Sequence, residues 1–120
     1  MYYKDMEVWK ESMALALMVY KLTENFPKTE LYGLTSQIRR CSISIPSNIA
    51  EGSVKFSNKE TLRFIEISIG SLAELDTQLL LSKDLDYYTE EAVFNQIKKV
   101  NALLLGLKKY LKKIWAKRIK

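Results

Sequence analysis

Four stretches of this chain carry apolar residues at intervals of three and four, the period of an amphipathic helix and not the alternation of a half-buried strand. The intervals predict helices over about 5–26, 31–52, 58–85 and 89–117. In the first, Asp5 is the expected N-cap, and Met6, Trp9, Met13, Ala16, Leu17 and Tyr20 form the expected inward stripe. Phe26-Pro27 ends it, and Lys28-Thr29-Glu30 is a short polar link. In the second, Leu34, Ile38, Cys41, Ile45 and Ile49 share one face, while Arg40, Ser44, Ser47 and Glu51 share another. Gly52 is a natural residue to follow the last turn.

Pro46 falls inside that second period, where its missing N–H and its ring cost a helix interior about 3 kcal/mol. Two readings follow. One is a kinked continuous helix in which the hydroxyl of Ser42 or Ser44 satisfies a freed carbonyl. The other is a pair of short helices, the second opened by Pro46. Downstream, Ser57-Asn58-Lys59-Glu60 is a capping box, with the Ser57 hydroxyl meeting the Glu60 N–H and Glu60 reaching back.

The third helix is apolar on two sides: Leu62, Ile65, Ile69, Leu72 and Leu79 make one stripe, and Phe64, Ile67, Leu75 and Leu80 lie beside it. A single bundle core covers one stripe, so the second needs another helix or another subunit. After a turn at Asp84–Tyr88, with Thr89 as N-cap, the fourth helix repeats Val93, Ile97, Val100, Leu104, Leu107, Leu111 and Ile114 without interruption. Short links join antiparallel neighbours, so the expected fold is all-α: one domain, an antiparallel up-down-up-down four-helix bundle. Excess apolar surface on the third and fourth helices predicts a homo-oligomer larger than a dimer, with Phe64, Leu80, Leu103 and Leu105 at its interface.

The chain has 120 residues, enough for one core without disulfides or metal. Its net charge of +5 is unevenly placed. From Asn95 onward there are nine Lys or Arg and no Asp or Glu, so the preceding residues are net acidic. A helix that concentrates positive charge in this way favours polyanions, nucleic-acid backbone first and an anionic membrane surface second, or else it is a solvated face. The residues expected to meet phosphates are Lys108, Lys109, Lys112, Lys113, Lys117 and Arg118. Beyond Tyr110 these charges have no acidic partner nearby in sequence.

Histidine is absent, which removes Glu-x-x-His metal pairs, His-based zinc sites and His-dependent triads. No metal, cofactor or catalytic residue is expected. Cys41 lies on an apolar helical face and reads as a small core residue in a reducing cytoplasm. Neither a signal peptide nor a stretch of about 18 apolar residues is present, so a soluble or peripheral protein is expected. Among the carboxylates of the third helix, Glu74 is the expected partner of Arg39 or Arg40, an ion pair that fixes register; the alternative for these arginines is a second nucleic-acid patch.

The words YGLTSQIRR (32–40), SIPSNIAEG (44–52) and GSLAELDTQL (70–79), with an opening DMEVW (5–9), resemble the family of proteins encoded in intervening sequences of bacterial 23S ribosomal RNA genes. The resemblance spans nearly the whole chain and fades after Leu111. It implies a four-helix bundle, commonly a ring-shaped homopentamer, shared with the accessory variability proteins of diversity-generating retroelements. It also implies nucleic-acid association more than any reaction. Three readings of function follow: a non-enzymatic nucleic-acid-binding oligomer, with RNA the first candidate; a protein-interaction scaffold such as an accessory subunit of a reverse transcriptase; and peripheral membrane binding through Tyr110–Lys120.

Overall fold

The computed structural model describes residues 2–119, with side chains described through Ala116. Four helices carry the chain: α1 (Glu7–Thr23), α2 (Leu34–Ser53), α3 (Asn58–Asp84) and α4 (Ala92–Ile119). They pack as a rod of 53 × 22 × 22 Å, with no strand among the described residues. Partners on neighbouring helices run in opposite chain order. Gln37, Cys41 and Ser44 of α2 meet Gln78, Glu74 and Ser71 of α3. Lys108 of α4 meets Glu66 of α3, whereas Glu91 before α4 meets Lys83 at the end of α3. Arg39 near the start of α2 reaches Thr23 at the end of α1, and Glu11 near the start of α1 meets Gln96 and Lys99. Adjacent helices therefore run antiparallel, as links this short require.

The core seams of α2, α3 and α4 follow their periods: Ile38, Ile45, Ile49, Ile65, Leu72, Leu75, Leu79, Val100 and Leu104 are at most 2% exposed. α1 follows the expected stripe only in part: Met6 and Trp9 pack half-buried against the core and Ala16 is half-buried. Met13 (45%) and Leu17 (58%) are exposed and Tyr20 faces solvent, while Val8, Ser12, Leu15, Val19 and Thr23 turn inward. The buried seam has the same three-and-four spacing but contains two hydroxyl residues, which hide it from a hydropathy reading. Those hydroxyls are buried at low cost because each bonds a carbonyl of its own helix, Ser12 to Trp9 (2.9 Å) and Thr23 to Val19 (2.8 Å).

Helix ends also differ from expectation. Asp5 closes a 3-10 turn, Tyr3–Asp5, held by the Tyr3 ring against Trp9, and α1 starts at Glu7 without a side-chain cap. Lys28–Glu30 is a 3-10 turn as well, and α2 begins at Leu34, whose N–H reaches the Glu30 carboxylate (3.3 Å). Gly52 does not follow α2 but lies buried inside it. A Cβ there would sit 2.9 Å from the Phe64 Cβ and 3.2 Å from the Thr61 carbonyl, so glycine is required for close approach of α2 and α3.

α2 is continuous through Pro46 and is not a pair of short helices. The serines serve otherwise than expected: Ser42 donates to the Arg39 carbonyl (2.7 Å) and Ser44 pairs with Ser71 (2.9 Å). Beside the proline, Ser68 of α3 donates to the Ile45 carbonyl (2.9 Å), a bond from another helix. Ser57 caps α3 by accepting from the Glu60 N–H (3.1 Å), but Glu60 turns forward to Arg63 (2.9 Å) instead of reaching back.

The α3–α4 turn is a Schellman motif with Asp86 in the left-handed conformation (φ 63): Tyr87 N–H bonds the Ser82 carbonyl and Asp86 N–H bonds that of Lys83. α4 starts at Ala92, so Thr89 lies too early to cap it. Phe26, Tyr87, Tyr88 and Phe94 close this end of the bundle with ring centroids 5.4 to 6.5 Å apart. Among the described residues, no helix is long and apolar enough to cross a membrane.

Candidate nucleic-acid interface

The apolar seam of α4 fixes where its lysines project. Val93, Ile97, Val100, Leu104 and Leu111 are buried, so the residues between them point sideways or outward. Not all are free, contrary to the expectation drawn from the sequence. Lys99 Nζ lies 3.3 Å from Glu11 of α1, and Lys108 Nζ lies 3.5 Å from Glu66 of α3. Glu11 also accepts from the Gln96 amide (2.9 Å), and that bond, aided by Lys99, holds its carboxyl below the usual value. The acidic partners sit on other helices, which the period of one helix does not reveal. Lys109, Lys112 and Lys113 are exposed and make no salt bridge among the described residues. Lys117 and Arg118 lie outside the residues whose side chains are described.

The Lys108–Glu66 pair sets the first turns of α3 beside the last turns of α4, and the close approach at Gly52 brings the end of α2 to the same place. A second set of cations thereby joins the patch. Lys55 lies in the α2–α3 link, and Lys59 and Arg63 lie on the α3 face that carries Glu66. Lys55 Nζ and Arg63 Cζ stand 5.0 and 4.5 Å from the centre of the Phe64 ring. These three were visible in the sequence, but only the fold brings them to this end of the rod, where Arg63 is paired with Glu60 (2.9 Å). The same end exposes Phe56 completely (107%) and Trp115 by 40%.

The arginine pair is elsewhere. Arg39 Nε donates to Thr23 Oγ1 (2.8 Å), its Nη2 reaches the Tyr20 carbonyl (3.4 Å), and its guanidinium lies 4.7 Å from the centre of the Tyr20 ring. It ties α2 to α1 and does not meet Glu74. Arg40 shares a cavity of about 320 Å³ between α2 and α3 with Glu74 but forms no ion pair with it. Glu74 instead accepts from the Cys41 thiol (3.0 Å). Burial, reinforced by that carboxylate, pushes the Cys41 pKa up to about 12, so the thiol stays protonated and is not a nucleophile at neutral pH. The expected Arg–Glu74 pair is thus replaced by two separate contacts, because successive residues of one helix face different neighbours.

The expected interface residues also divide. Phe64 is buried and Leu103 half-buried within the chain, whereas Leu80 and Leu105 are each 47% exposed. A second apolar surface had not been anticipated: Met13 and Ile43 flank a groove of about 350 Å³ between α1 and α2, floored by Ala16, Pro46 and Ala50.

The fold is shared with the crystal structure of a protein of unknown function from the S23 ribosomal protein family of Bacteroides thetaiotaomicron VPI-5482. That chain is 24% identical, with a TM-score of 0.63, and the match covers 89% of this chain and 96% of that one. No curated protein matches the sequence. The model of the 23S rRNA-intervening sequence protein family matches residues 4–109, which takes in α1, α2, α3 and α4 as far as Lys109, and the chain belongs to that family.

Proposed function

We propose that this protein is a non-enzymatic, oligomeric nucleic-acid-binding bundle of the cytoplasm, with RNA as its physiological ligand, and that the end of α4 grips the phosphate backbone. The observation that carries the reading is the set Lys109, Lys112 and Lys113, exposed and without salt bridges among the described residues at one end of the rod, while Lys99 and Lys108 spend their charge on Glu11 and Glu66. Free ammonium groups release condensed counterion when they meet phosphates, so they supply affinity without sequence readout. Association of the family with 23S rRNA intervening sequences supports RNA as the class. Lys112 and Lys113 lie beyond the residues that the family model matches, so their part rests on this chain's own sequence.

Replacing Lys109, Lys112 and Lys113 by Gln tests this. Affinity is expected to fall by a similar factor on every RNA sequence, and the log-log salt slope to flatten by about 0.7 per lysine on single strands. Unchanged affinity at about 0.1 M salt overturns the reading. A second reading, a scaffold for a protein partner, is favoured by the exposed Met13, Leu17 and Ile43 around the α1–α2 groove. Self-association is the use of that surface included in the proposal, with the ring of five that the resemblance implies. Sedimentation equilibrium that shows a monomer at micromolar concentration removes it.

A further inference from the structure

The basic end of the rod carries aromatic rings that the backbone-binding reading leaves unused. Phe56, in the link between α2 and α3, is 107% exposed, so both faces of its ring are open. Trp115, on the last turns of α4, is 40% exposed at the same end. Lys55 and Lys59 flank the first ring in sequence, and Lys112 and Lys113 precede the second. Exposing a phenylalanine completely forfeits about 2 kcal/mol of burial, which the chain recovers only when something covers the ring.

From this juxtaposition we infer that the end of the bundle is a stacking platform for unpaired bases: it selects single-stranded over duplex RNA, with Phe56 and Trp115 each stacking on a base while the adjoining lysines hold the phosphates. The inference rests on the backbone-binding reading and gives it a ligand class. Stacking needs an accessible ring face and a nearby cation, and it tolerates any base because every base has a π-face. In a duplex the base faces are already occupied by their neighbours, so the rings gain nothing there and only the lysines contribute.

The other macromolecule that pairs aromatics with lysine is an anionic membrane surface, and the packing argues against it. A helix lying in the interface needs a continuous apolar face. On α4 that face is consumed by the bundle: Leu111 is 6% exposed, and Leu107 and Ile114 are half-buried. Beyond Leu105, what remains outside is the separate rings of Tyr110 and Trp115 among lysines.

The test compares the full chain with Phe56→Ala, Trp115→Ala and the Lys109, Lys112, Lys113→Gln variant. Each is titrated against an unstructured single-stranded RNA of about 12 nucleotides, an RNA duplex of equal length, and vesicles containing phosphatidylserine. The parent is expected to prefer the single strand. Each aromatic variant is expected to bind it about 5- to 150-fold more weakly while duplex affinity changes little, and Phe56→Trp to retain the preference. Because Phe56 makes no buried contact, its alanine variant should melt like the parent, so Phe56→Ala stands as the test even if Trp115→Ala is unstable. If Phe56→Ala binds both RNAs as the parent does while the lysine variant loses both, stacking is overturned and backbone binding stands. If the lysine variant loses neither, backbone binding falls, and stacking with it. Release of Phe56→Ala from vesicles without loss of single-stranded RNA assigns the ring to a membrane and also overturns the inference.

Discussion

Gly52 shows how one missing side chain sets the spacing of two helices. Gly52→Ala puts a methyl 2.9 Å from the Phe64 Cβ, and neither α2 nor α3 yields without shifting backbone, so a loss of about 1–3 kcal/mol is expected in denaturant unfolding. Cys41 and Tyr88 carry a different consequence. Burial raises both to about 12, the first helped by Glu74 and the second by nearby Asp76. A neutral acid whose pKa is higher folded than unfolded stabilises the fold below the unfolded value and loses that contribution as pH rises. Stability should therefore hold to about pH 9 and fall steadily towards 12, with Cys41→Ser removing part of the slope in an alkaline titration of melting temperature. Gly52 was legible as a helix-ending glycine, which misplaced it by one turn, because a glycine reads alike whether it frees φ or admits a neighbour.

Among the elements, α1 is the one whose orientation the pattern left ambiguous. Two seams with the same spacing interleave on it, and the more hydrophobic of the two turns outward at Met13, Leu17 and Tyr20 while Met6 and Trp9 pack against the core. Leu15 is fully buried, so Leu15→Ala is expected to cost about 2–5 kcal/mol, whereas Leu17→Ala should stay within about 0.5 kcal/mol for the isolated subunit. A larger effect of Leu17→Ala that depends on protein concentration would instead place the residue at a subunit contact. α2, α3 and α4 were easier, because aliphatic residues recur along each core seam even where buried Thr35, Ser42, Ser68 and Ser82 interrupt those of α2 and α3. α2 also survives Pro46, whose disruption is met by packing against α3 near the Ser68–Ile45 bond.

At the scale of the molecule, charge is divided between the two ends of the rod. Glu24, Glu30, Asp84, Asp86, Glu90 and Glu91 cluster where α1 and α3 end, opposite the lysines of the α2–α3 link and the last turns of α4. On the proposed function, a polyanion at the basic end relieves repulsion among lysines that the fold gathers there, and so favours the folded chain over the unfolded one. Short single-stranded RNA is therefore expected to raise the melting temperature by several degrees at about 0.05 M salt, and to lose the effect by about 0.5 M. Equal stabilisation at both salt concentrations would mean that the contact is not electrostatic.

Helix number, helix type, the short links and the excess of positive charge after Asn95 were determined by the sequence itself, because periodicity and composition are local and survive without knowledge of neighbours. Partner choice was not. Which lysines are neutralised, whether Arg39 meets Thr23 or Glu74, which α1 seam turns inward and which link lies beside the end of α4 all depend on residues tens of positions apart meeting across helices. Those meetings are set by the packing of four helices at once, and only the tertiary structure decides them.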